Sequence, residues 1–147
     1  MYSTILFLHN LLRWGVLIGG LYAITKSALG LINKRDYTSS ENRAHMIFVI
    51  FCHTQLLLGL ILYFISPVVH EALADMGAAM KDAKLRLYGV EHISINIIAI
   101  ALIQTGRTLS KKATTSAMKH KRSLIWFSIG LLLILSRIPW AYSPLFR

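Results

Sequence analysis

His9 and Arg13 stand four residues apart inside the apolar stretch Ile5–Thr25, so a helix there carries an imidazole and a guanidinium on one face, a turn apart. His92 stands in a separate apolar stretch beside Glu91. Ionisable groups are costly in a hydrocarbon-soluble helix; they normally face a bundle interior and mark a functional site. Two neutral imidazoles on one iron leave no open position for substrate, which suits electron transfer rather than catalysis. The chemistry these residues fit best is axial clamping of a haem iron by His9 and His92. Arg13 and Arg137 are the cations expected to neutralise its propionates, and Gly59 is expected to give the macrocycle room.

Positioning these groups requires helices that cross an apolar layer. Of 147 residues, 55% are hydrophobic and only 15% charged, and four apolar runs predict spans over about 3–33, 43–66, 84–107 and 120–142. Each reaches across about 30 Å at about 1.5 Å per residue. The expectation is an all-α, integral-membrane, up-down-up-down four-helix bundle, one transmembrane domain over 1–147. The formal charge of +10 gathers in two loops, at Lys26, Lys34, Arg35 and Arg43, and between Arg107 and Arg122. The positive-inside rule puts both loops in the cytoplasm and both termini outside. Basic loops so placed orient the chain and touch anionic lipid, which argues against nucleic acid as a partner. The N-terminus lacks the basic region and small-residue cleavage site of a secretory signal. Cys52 is the only cysteine and reads as buried span filler. Gly15 and Gly19 form a small-xxx-small pair for close helix approach. Ser39 or Ser40 is the expected cap of the second span, His45 is expected near water at the interface, and His70 at the surface.

Short connections put span one diagonal to span three, and two diagonal to four. His9 lies about 9 Å below the start of its span and His92 about 6–10 Å below the start of its own, so the two rings should meet at one level. A second site is conceivable at the cytoplasmic end, where His120 pairs either with His45, at matching depth, or with the more deeply set His53. Two stacked haems would carry electrons across the membrane. Otherwise His53 and Gln55 satisfy each other or a quinone headgroup.

At these residues the chain also resembles a known family. Leu8-His9-Asn-Leu-Leu-Arg13-Trp14, His53-Thr-Gln55-Leu-Leu-Leu-Gly59-Leu-Ile-Leu-Tyr63-Phe, Val90-Glu91-His92 and Lys119-His120-Lys121-Arg122 look like the small four-span cytochrome b-like membrane proteins of Bacteroidetes. The resemblance covers nearly the whole chain. It implies b-type haem, electron transport to or from quinone or a redox partner, and a multi-pass place in the bacterial inner membrane. His9, His53, His92 and His120 are its matching histidines, which favours His53 over His45 as partner of His120. The competing readings are a haem-free copper or zinc site using His9, His53, His92 and Glu91, and an assembly subunit whose histidines only bond neighbouring spans. An independent enzyme is not expected, and self-association stays open.

Overall fold

The computed structural model describes residues 1–142. They fold as helices α1 (Tyr2–Ile32), α2 (Ser39–Ile65), α3 (Pro67–Ala74), α4 (Met76–Ala79), α5 (Ala83–Arg86), α6 (His92–Lys112) and α7 (Ser116–Ser136), with a π-helical turn at Leu87–Glu91 and a 3-10 turn at Trp140–Tyr142. There is no strand among the described residues. The long helices pack in a ring, α1 on α2 and α7, and α6 on α7 and α2. The diagonals are therefore α1 with α6 and α2 with α7, as the short connections require.

The bundle is apolar outside. Ile18, Leu132 and Phe64 are 67%, 66% and 72% exposed, whereas Asn10, Arg13, Ser27, His45, Arg107, Ser110, His120 and Ser123 are buried. In water this distribution would leave large apolar surface exposed at a cost; in hydrocarbon it is the favourable one. Among the described residues, Tyr2–Ile32, Ser39–Ile65 and Ala83–Lys112 are long and apolar enough to cross a membrane. α7 is the fourth bundle helix, but Lys119, Lys121 and Arg122 occupy its first turns. Its uncharged part, Ser123–Ser136, extends only about 21 Å. The span expected over 120–142 is thus a shorter helix, ending at Ser136 before Pro139.

Local signals set the ends. Thr38, rather than Ser39 or Ser40, caps α2: Thr38 accepts from the Ser40 amide and Glu41 reaches back to the Thr38 amide. That is the reciprocal capping box encoded by Thr-x-x-Glu. α1 closes with Lys34 at φ 51, and the Arg35 amide bonds the Gly30 carbonyl at 2.9 Å, a Schellman closure. α5, the π turn and α6 run on as one helical stretch over Ala83–Lys112, longer at its far end than the span expected over 84–107.

Three layers stack along the bundle axis. A central apolar plug contains Val16, Ala23, Phe48, Cys52, Ala99, Ile103 and Phe127, with the Phe48 and Phe127 rings 5.3 Å apart, edge to face. Gly15 and Gly19 admit Phe51 against α1, so this small-residue pair serves helix packing. A cavity occupies one side of the plug and a buried polar cluster the other.

Candidate functional site

The cavity holds about 340 Å³ and lies where all four long helices meet the π turn. That volume falls within the range of cofactor pockets, about 300–1,000 Å³. Its wall is mostly apolar, but His9, Asn10, Arg13, Gln55, His92 and Asn96 reach it, as do Lys84 and several tyrosines. His9 comes from α1 and His92 from α6, so the pair spans the diagonal. Their ring centroids are 6.3 Å apart with planes crossed at 69°. For two imidazoles on opposite sides of one metal ion, bonds of about 2.0 Å and about 1.2 Å from nitrogen to ring centre give about 6.4 Å between centroids. The observed spacing fits one ion between the rings.

Each ring is held differently. His92 Nδ1–H donates to the Arg137 carbonyl at 2.7 Å, which directs the lone pair to Nε2, the arrangement usual for a metal-ligating histidine. That carbonyl is available because α7 ends at Ser136, leaving the backbone beyond it outside the helical ladder. Asn96 Nδ2 donates to the His92 carbonyl at 2.6 Å. His9 Nδ1 is buried without a hydrogen-bond partner, and its ring lies against Gly59, where an added Cβ would stand 3.2 Å from Cε1. Gly59 therefore makes room for the His9 imidazole itself. Gln55 Nε2 donates to the His9 carbonyl at 2.9 Å while its Oε1 is buried and unpartnered.

Arg13 is 5% exposed, lines the cavity, and lies 5.7 Å from the Trp14 ring and 5.5 Å from that of Trp140. Its side chain thus borders the cavity. That of Arg137 does not: its Nε faces Glu91 Oε2 at 3.5 Å, and its contribution to the site is a carbonyl. Glu91 is also bonded by Arg86 at 2.8 Å, so its carboxylate is engaged by the two arginines. Among the described residues, no three His, Cys, Asp or Glu side chains converge on one point, so the competing copper or zinc set of His9, His53, His92 and Glu91 is not assembled.

At the other end of the bundle the structure departs from the family-based pairing. His53 is exposed on the outer face of α2 and donates Nδ1–H to the Val49 carbonyl of its own helix at 2.9 Å. It does not meet His120. His45, expected near water, is fully buried, as is His120, and Tyr37 lies between them with ring centroids at 5.4 and 5.3 Å. Arg107 donates to the Tyr37 oxygen at 3.3 Å and to Asn42 Oδ1 at 2.6 Å. The Tyr37 hydroxyl therefore directs its own proton to His45 Nδ1, 2.8 Å away, and His45 Nε2–H donates to Ser27 Oγ at 2.8 Å. Burial pushes the Tyr37 hydroxyl above its ordinary range, keeping that proton in place. His120 Nε2–H donates to the Arg35 carbonyl at 3.2 Å, and its ring fills the space a side chain at Gly30 would need. Both His45 nitrogens are engaged and the ring of His120 is packed on α1. This cluster does not fit a second haem; it ties α1, α2, α6, α7 and the first loop together.

The sequence missed the π turn and the Tyr37 network. The only cue to the turn is Gly89, whose carbonyl accepts from the Tyr63 hydroxyl at 3.0 Å and whose missing side chain admits Ala72. No family model, curated protein or solved structure matches the chain.

Proposed function

We propose that this protein is a membrane b-type cytochrome that holds one haem between His9 and His92 and passes electrons to or from quinone or a protein partner. The observation that carries the reading is the 6.3 Å spacing of two imidazoles from diagonal helices inside the cavity. Bound there, haem b would supply a one-electron iron couple. The chain's own work is positional. His92 is oriented by the Arg137 carbonyl, His9 by the clearance at Gly59, and Arg13 offers a buried cation for a propionate. The resemblance to four-span cytochrome b-like proteins supports the same assignment. The basic loops favour an orientation in a bacterial inner membrane with the Tyr37 cluster at the cytoplasmic end.

The test is haem per chain and the reduced-minus-oxidised spectrum of the purified protein. One haem with sharp reduced bands is expected, with the bis-imidazole signature lost in both His9→Ala and His92→Ala. A colourless protein that also fails to bind added haem overturns the reading. Retention of the bis-imidazole signature in either variant removes that residue as a ligand.

A further inference from the structure

On the outer face of the bundle, at the basic end, the seam between α2 and α6 opens into a groove of about 430 Å³. From α2 it is lined by Met46, Val49 and Ile50, and from α6 by Gln104, Arg107, Thr108, Lys111 and Lys112. The spacings i, i+3, i+4 on α2 and i, i+3, i+4, i+7 on α6 place each set along one helical stripe. The helices are antiparallel, so the groove is graded in polarity. Lys111 and Lys112 are the last residues of α6, at the bundle end, whereas Met46 and Ile50 lie about 10–16 Å inside the start of α2. Lys111, Lys112, Met46 and Ile50 are exposed, and Arg107 is buried at the back. Among the described residues no carboxylate pairs with Arg107, Lys111 or Lys112.

A cationic end without acidic partners that continues into an apolar trough matches one kind of molecule, an anionic amphiphile lying parallel to the helices. We propose that this groove binds an anionic phospholipid of the surrounding bilayer. Lys111 and Lys112 meet its phosphate, the charge of Arg107 reinforces them from behind, and an acyl chain lies along Met46, Val49 and Ile50. Basic pockets between membrane helices take headgroups in this way. The inference requires the helices to sit in a membrane and is independent of any haem.

The test reconstitutes the full-length protein in vesicles of equal parts phosphatidylglycerol and phosphatidylcholine, re-extracts it in mild detergent, and reads bound lipid by native mass spectrometry. One phosphatidylglycerol per chain is expected, retained in preference to phosphatidylcholine. Lys111→Gln/Lys112→Gln should lower that preference about 25-fold, about fivefold per lysine. Ile50→Trp, which obstructs the trough with every cation kept, should also reduce retention. Lys34→Gln/Lys121→Gln removes as much charge elsewhere at the basic end and should leave retention unchanged. Equal retention of the two lipids overturns the site. So does an equal loss in the Lys34/Lys121 variant, which would mark general surface attraction, and so does a second protein chain in place of lipid.

Discussion

Gly59→Ala separates the histidine site from the fold that carries it. The new methyl would stand 3.2 Å from His9 Cε1 and 3.8 Å from Nδ1. Carbon contacts are optimal at about 3.5–4.0 Å, so the ring must withdraw by about 0.3 Å or more. Strain of that size belongs at the low end of overpacking costs, about 1 kcal/mol. Replacing glycine by alanine inside a helix contributes about 1 kcal/mol in the opposite direction. Folding stability should therefore stay within about 1 kcal/mol of the parent. The imidazole has no such compensation, because its approach to His92 is fixed by the same clearance. Disturbing the support of a metal-ligating histidine typically lowers metal affinity about 10–100-fold. The assay is haem titration of the haem-depleted protein beside thermal denaturation in the same detergent. Gly19→Ala is the control, since its methyl would meet Phe51 at an ordinary 3.7 Å. If Gly59→Ala binds haem within about twofold of the parent, the clearance does not govern the site. If it loses stability by several kcal/mol, the strain has been misjudged.

Three further perturbations test the rest of the description. His53→Ala should leave both haem content and stability unaltered, within about 0.5 kcal/mol, since the ring bonds only its own helix; loss of colour would restore it as a ligand. Tyr37→Phe removes the hydroxyl shared by His45 and Arg107 and should destabilise the protein by about 1–3 kcal/mol in denaturant titration. The haem spectrum should not move, because the Phe48–Phe127 layer intervenes. Gly30→Ala drives a methyl into the enclosed His120 ring and should cost about 1–3 kcal/mol by the same titration, despite the better helix propensity of alanine; an unchanged midpoint would show that the ring has room to move.

Much of the bundle was legible because it depends on long-range regularities. Apolar runs fix helix length, short connections fix neighbours, and a rise of about 1.5 Å per residue fixes depth. Those three facts brought His9 and His92 to one level. The Thr38–Glu41 capping box was legible as well, and naming Ser39 or Ser40 overlooked the Thr-x-x-Glu spacing. Depth arithmetic was weaker for His45 and His53, since it says nothing about azimuth. Eight residues on one helix is about 80° of rotation, enough to put one ring inside the bundle and the other on its outer face. The role of Arg137 was hidden for another reason: a backbone carbonyl carries no side-chain signature, and only the termination of α7 makes it an acceptor.

The π-helical turn carries a mechanical consequence. The His92 amide bonds the Leu87 carbonyl five residues back, so this turn contains one more residue than an α-helical one. Because the wide turn absorbs that residue, the stretches on either side keep the bearing that an uninterrupted α-helix would give them. Were the turn to close as α-helix with all its residues kept, everything before Leu87 would swing about 100° around the axis relative to His92. The Arg86–Glu91 clasp would part, and the short helices from Pro67 onward would lose the seat that Gly89 gives Ala72. The seat of those helices and the His92 ring at the cavity wall are thus indexed to each other by the width of a single turn.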